Sequence, residues 1–147
     1  TLSLALNGGR SSAILRDPRD TSLDFARSAN SFGLGLDSIK RHCKFFRQQL
    51  DWSEQQIRAL GSKIEGVFFV HDFENFVLSA THRDKFKSVM IGAAKKVRTY
   101  FDPNASSMNI GIYEEMERWH LDVVEAECMQ VYDNYRCLVR ERGLLIE

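Results

Sequence analysis

The segment from Met108 to Gly143 reads MNIGIYEEMERWHLDVVEAECMQVYDNYRCLVRERG, and its apolar spacing predicts one long helix. At about 100° per residue, its apolar side chains fall on two stripes roughly 120° apart around the helix axis. The first stripe consists of Ile112, Met116, Trp119, Val123 and Ala126, and the second of Val124, Cys128, Val131, Tyr135 and Leu138. Asn109 is a suitable N-cap, and Gly143 can end the helix in a left-handed conformation. We therefore expect a helix over about 109–142 whose two halves pack on different neighbours.

The length of this helix predicts an interface. An unbroken helix over 109–142 would span roughly 51 Å, whereas a compact chain of 147 residues has a diameter of about 38 Å. Either the helix bends or one end projects, and in the second case the exposed apolar patch would mark an interaction site. The expected partner interface consists of apolar side chains near the carboxyl end, together with one from an earlier helix: Phe45, Tyr135, Leu138, Val139 and Leu145.

The composition is that of one globular domain, with 44% hydrophobic and 27% charged residues. No apolar run reaches the roughly 18 residues of a membrane span, and the amino terminus has no signal-peptide pattern. Three cysteines cannot all pair within one chain. We expect no membrane association and an intracellular location, cytoplasmic or nuclear. Because the chain begins at Thr1, we also expect it to be part of a larger protein.

The amino-terminal residues 1–20 are expected to form an arm. Residues 1–6 alternate apolar and polar side chains, Asn7-Gly8-Gly9 is a turn signal, and Arg10 to Leu15 can return as a second strand. The arm is either a short hairpin or an extended segment. Residues 21–147 are expected to form a single helical domain.

The rest of the chain predicts further helices. Ser53 and Gln56 form a capping-box pattern that starts one of them. The expected helices before the long one lie at about 22–31, at 37–50, from Ser53 toward Val77, and at 84–101. The expected fold is therefore all-α, a bundle of about five helices with an N-terminal arm.

The segment Val67 to Val70 is ambiguous, because VFFV fits a buried strand as well as a helix. We favour the helix, since the helical spacing continues to Phe76 and the sequence offers no good partner strands. The strand alternative would lead directly to His71 and Asp72. In that case the chain would be a small α/β enzyme.

Basic residues cluster on two of the expected helices, 37–50 and 84–101. Such clusters indicate a nucleic-acid-binding or packaging domain of the coat or nucleoprotein type. A net charge of zero argues against a strong global field, and the acidic first half of the long helix offers an internal partner for these cations. The candidate residues for nucleic acid or an acidic partner are Lys40, Lys44, Arg47, Lys87, Lys95 and Arg98.

Glu117-x-x-His120 has the spacing of a di-iron ligand pair on a bundle helix. Such a site needs a second Glu-x-x-His, and the sequence has none. We therefore expect no metal and no cofactor, and Glu117 and His120 are only weak candidates. No catalytic constellation or phosphate-binding loop is present either.

The preferred interpretation is a non-enzymatic helical interaction or self-assembly domain of a larger intracellular protein. Its expected partner is a second copy of the chain or another protein, and docking is expected through the long C-terminal helix. Nucleic-acid binding is the first alternative, and a small α/β enzyme is the second.

Overall fold

The structure is a computed structural model that describes residues 9–28, 36–91 and 110–147. Helices make up 75% of these residues, so the mostly helical composition expected from the sequence is confirmed. The chain also contains a parallel sheet of three strands, which makes an all-α description too narrow. The described ranges contain five helices: α1 (Pro18–Ser28), α2 (Leu36–Leu60), α3 (Phe73–Leu78), α4 (Ala80–Ile91) and α5, which joins Arg118–Val124, Glu125–Met129 and Gln130–Glu141.

The three strands are β1 (Ser11–Leu15), β2 (Phe68–Asp72) and β3 (Leu145–Ile146). They are parallel, with β2 in the centre. Ser11 pairs with Phe68 in register, and Val70 pairs with Leu145. Because all three strands run in the same direction, the chain has to cross back to the same end of the sheet between one strand and the next. The helices between the strands provide these crossovers.

The helix expected from Ser53 toward Val77 is confirmed over residues 53–60 but is wrong in its start and in its middle. Helix α2 begins at Leu36 and runs through Ser53 to Leu60, so no new helix starts there. The chain then turns through Gly66, which adopts a left-handed φ of 76° that disfavours residues with a side chain. The next residues form β2, because they pair with β1 and β3.

Helix α5 begins at Arg118 instead of about residue 109 and has 24 residues. Gly111 has a left-handed φ of 72°, and a 3-10 turn follows at Ile112–Glu115. The carboxylate of Asp20 accepts hydrogen bonds from the backbone N–H groups of Gly111 and Tyr113 at 2.9 and 3.1 Å. The helix is therefore about 36 Å long, which removes the argument that one end must project.

Helices cover both faces of the sheet. Phe68 and Val70 lie in the main core beneath α2 and α5. This core also includes Ile57, Ile64, Tyr132, Tyr135, Leu138 and Val139. On the other face, the ring of His71 contacts Phe76 of α3 and Phe86 of α4, with ring centroids 5.0 and 4.6 Å apart. Alternation along β2 explains this division, because successive side chains point to opposite faces.

The expected arm is only partly described. Residues 11–15 form β1, a strand of the central sheet, and the other half of the expected hairpin, residues 1–8, lies outside the described residues. The segment 92–109, which includes Lys95 and Arg98, also lies outside the described residues. Within the described ranges, every helix is too short or too polar to cross a membrane.

Candidate binding cleft at the carboxyl edge of the sheet

The carboxyl ends of the three strands meet at one edge of the sheet, because the strands are parallel. Asp17 follows β1, Asp72 ends β2, and Glu147 follows β3. Ligands of open parallel sheets bind in the crevice outside these carboxyl ends. This edge is therefore the first place to look for a site.

Asp72 is the central residue of the edge. It is 2% exposed, and its Oδ2 accepts hydrogen bonds from Arg136 Nη2 at 2.7 Å and from Asn75 Nδ2 at 3.3 Å. Its other oxygen, Oδ1, has no hydrogen-bond partner among the residues that the structure describes. Asp72 points to the same face of β2 as Val70, which brings it beneath α5 and explains its contact with Arg136.

A cleft of about 360 Å³ opens beside this ion pair. It is bounded by the first turns of α4, by the last turns of α5 and by the residue that follows β3. The lining includes three cations and one carboxylate in a mostly polar wall: Asn75, Ser79, Thr81, His82, Lys85, Arg136, Arg140 and Glu147.

The cations of the cleft are held in place by acceptors of the same chain. Arg140 Nε donates to Glu147 Oε1 at 2.8 Å, and Lys85 Nζ donates to the backbone carbonyl of Glu147 at 2.6 Å. Ser79 lies before the amino terminus of α4, where its Oγ accepts from the backbone N–H of His82 at 3.1 Å. The positive end of the α4 dipole is therefore part of the cleft wall.

A second group of charges lies at the end of β1. The carboxylate of Asp17 binds the guanidinium of Arg19, with its closest contact at 2.6 Å, and the Asp17 backbone N–H donates to Glu74 Oε1 at 3.2 Å. Burial raises the pKa of Glu74 and that of Tyr132 above their usual ranges. The charged groups thus extend along the whole edge from β1 to β3.

Two histidines lie on the opposite face of β2 from Asp72. Burial lowers the pKa of His71 to about 4, and it lowers that of His82 as well. Both imidazoles are therefore neutral at pH 7. His82 is 5% exposed and lines the cleft, and its Nε2 has no partner in the described part of the chain. His71 and Asp72 do not form a dyad, because they point to opposite faces of the sheet.

Most of the expected interface residues are not available to a partner. Tyr135, Leu138 and Val139 are buried in the main core, and Leu145 is half-buried in β3. The physical reason is that α5 is shorter than expected and its second apolar stripe packs on α2 and the sheet. Phe45 is the exception, since 58% of its surface is exposed on α2.

Four of the six expected nucleic-acid residues lie in the described ranges, and their surroundings differ. Lys40 and Lys44 are exposed on α2, while Arg47 contacts Glu127 of α5 at 3.1 Å. Lys87 lies 3.9 Å from Asp84 of its own helix. The Arg47 contact is of the kind expected if a basic helix pairs with an acidic one inside the domain.

The weak metal candidates have other contacts. Glu117 accepts a hydrogen bond from Trp119 Nε1. His120 is buried, and its Nε2 lies 3.3 Å from Ser22 Oγ. In residues 9–28, 36–91 and 110–147, no group of three or more His, Cys, Asp or Glu side chains could hold a metal ion.

The cations of the cleft were not predicted from the sequence as one site. Arg136 and Arg140 are four residues apart and share one face of α5, which was a usable signal. They looked like part of an ordinary solvated face, because nothing in the sequence brings that face beside Asp72. No family model, curated protein or solved structure matches this chain. Function has to be inferred from the site itself.

Proposed function

We propose that this chain is a helical domain with a parallel sheet that binds a phosphate-bearing ligand in the cleft at the carboxyl edge. One observation carries the proposal: Lys85, Arg136 and Arg140 converge there beside the amino terminus of α4. Among the described lining residues, these three cations face one carboxylate, that of Glu147. The buried Asp72 pairs with Arg136 beside the cleft.

Phosphate chemistry suits these groups. Arginine presents a planar fork of donors that matches phosphate oxygens, and a helix amino terminus attracts anions. The ion pair with Asp72 restrains the Arg136 side chain, so less conformational entropy is lost when a ligand binds. A volume of about 360 Å³ lies within the usual range of small-molecule sites.

The test is calorimetric titration of the full chain with inorganic phosphate, with a nucleoside monophosphate and with a single-stranded oligonucleotide. Lys85→Ala and Arg140→Ala are each expected to lower the affinity for the probe by about tenfold, because each removes a charge-assisted hydrogen bond. Lys63→Ala is the matched control, because Lys63 is exposed outside the cleft. Undetectable binding of all three probes, or equal binding by all variants, would overturn the proposal.

The oligonucleotide arm also tests the nucleic-acid alternative. If a nucleic acid is the ligand, binding should weaken steeply with salt. Lys40→Glu and Lys44→Glu should weaken it further only if α2 takes part. Tighter binding of the mononucleotide than of the oligonucleotide would favour a small-molecule site instead.

A second candidate function is the non-enzymatic interaction module expected from the sequence. Four large apolar side chains on α1, α2 and β1 support it, with exposed fractions between 40 and 62%: Ile14, Phe25, Phe45 and Trp52. Exposed apolar patches of this kind mark interaction sites. Light scattering on the wild type and on Phe45→Asp tests it, and an unchanged assembly state with every candidate partner would contradict it.

The small α/β enzyme stays a prediction. Its strand is present and leads to His71 and Asp72, as that alternative required. Because these two side chains lie on opposite faces of the sheet, any catalytic role would have to use only one of them together with the cleft.

A further inference from the structure

Two grooves lie side by side between β1 and α2, with volumes of about 480 and 550 Å³. Both are lined by Ile14, Leu15, Gln49 and Leu50, so they are adjacent parts of one surface. We call this surface the β1 groove. Its walls are mainly apolar, with Trp52 at one end and Phe45 at the other.

The backbone of β1 borders this groove. Ser11 N–H donates to Val67 carbonyl at 2.8 Å, which directs the polar groups of Ser11 toward β2. Backbone direction alternates along a strand, so the N–H and C=O groups of Ser12 and Ile14 point away from β2. Within the described ranges, β2 is the only strand paired with β1. The outer edge of β1 can therefore accept another strand.

The positive charge that a ligand can meet in this groove is that of Arg41. Arg16 also lines the second half but is paired with Asp24, and burial lowers the pKa of His42, so its imidazole is neutral at pH 7. Neither half has a carboxylate among its described lining residues. Arg41 is exposed and makes no ion pair with any residue in the described part of the chain. A segment bound here would therefore be stabilised by a carboxylate near Arg41.

We propose that the β1 groove binds an extended peptide segment of a protein partner, which adds to β1 as a further strand. Its apolar side chains would occupy the groove, and an acidic side chain would meet Arg41. The stretch of α2 from Arg41 to Ser53 spans about 18 Å, which matches five or six extended residues. This inference rests on the second candidate function and names its partner.

The first experiment selects ligands from a phage-displayed library of linear 12-residue peptides on the full chain. Selected peptides should alternate apolar and polar side chains and carry Asp or Glu. In fluorescence anisotropy, Phe45→Ser should weaken such a peptide at least tenfold. Leu78→Ser is the matched control, since Leu78 is 66% exposed but lies outside the groove. This variant should bind the peptide with the affinity of the wild type.

The second experiment tests the added strand. Ile14→Pro removes an N–H that points away from β2, so the pairing of β1 with β2 survives, as it does for proline on edge strands. This variant should lose peptide binding, whereas Ile14→Val should retain it. Both variants should keep the circular dichroism spectrum of the wild type.

Three results would overturn the proposal: no selected peptide, peptides that bind Ile14→Pro as tightly as Ile14→Val, or self-association that Ile14→Pro abolishes. The last would make a second copy the occupant of the groove. If Phe45→Asp still changed the assembly state while no peptide bound, the interaction function would stand and only the extended-peptide inference would fail.

Discussion

Arg136 of α5 binds Asp72 at the carboxyl end of β2, with 2.7 Å between Nη2 and Oδ2. The two side chains differ in their surroundings, since only 3% of the side-chain surface of Asp72 is exposed, against 37% of that of Arg136. A buried charge that loses its partner destabilises a protein far more than an exposed one. The contact joins α5 to the central strand of the sheet, and its loss should lower the free energy of unfolding.

Arg136→Met is expected to lower the free energy of unfolding by about 3 kcal/mol, because it leaves the buried Asp72 carboxylate without a cation. Arg140→Met, one turn further along α5, removes an exposed ion pair with Glu147 and should cost less than about 1 kcal/mol. Urea unfolding measures both. Equal changes in the free energy of unfolding for the two substitutions would show that the contact with Asp72 stabilises the chain no more than an exposed ion pair does.

Stability should fall in mild acid because of His71. Its pKa is about 4 in the folded chain, against about 6.5 in an unfolded one. Between these values the unfolded chain binds more protons, so the His71 contribution is complete above pH 6.5 and is lost as the pH falls to 4. Urea midpoints measured from pH 7.5 to 4 should fall, and His71→Leu should reduce that slope.

The other histidines provide the background for this measurement. Burial also lowers the pKa values of His42, His82 and His120, so some slope should remain in His71→Leu. A slope identical to that of the wild type would contradict the assignment of His71 as a buried neutral imidazole.

The helical part of the fold was predictable from local patterns. The second apolar stripe of the long helix is buried at Cys128, Tyr135 and Leu138, as a 3.6-residue period requires. The first stripe was misleading, since Trp119 is 41% exposed. The helix start was missed because Asp20, far away in the chain, binds Gly111 and Tyr113 and holds the preceding residues in a turn.

The sheet was not predictable, because its pairing joins distant segments. β1 was assigned to an arm, and β3 has only two residues, too few for an alternating pattern. Without those partners, the VFFV segment fitted a helix as well as a strand, and nothing local decided between the two. The cleft followed the same logic: Arg136 looks like a solvated residue until β2 brings Asp72 beneath α5.

Asp20→Ala is expected to destabilise the chain by about 2 kcal/mol. Asp20 is 1% exposed, and its carboxylate accepts hydrogen bonds from the backbone N–H groups of Gly111 and Tyr113. The substitution would leave both N–H groups without a partner. Asp51→Ala is the matched control on the surface of α2 and should change the unfolding free energy by less than about 0.5 kcal/mol. A fully stable Asp20→Ala chain would mean that the turn before α5 forms without this carboxylate.

Leu138 and Phe45 separate the two possible locations of an interface. Leu138 is 8% exposed in the main core, so Leu138→Ala should cost about 2 to 4 kcal/mol in urea unfolding. Phe45 is 58% exposed, so Phe45→Ala should change stability by less than about 0.5 kcal/mol and should affect only partner binding. If Leu138→Ala were as stable as the wild type and altered assembly instead, the interface would return to the end of α5, where the sequence first suggested it.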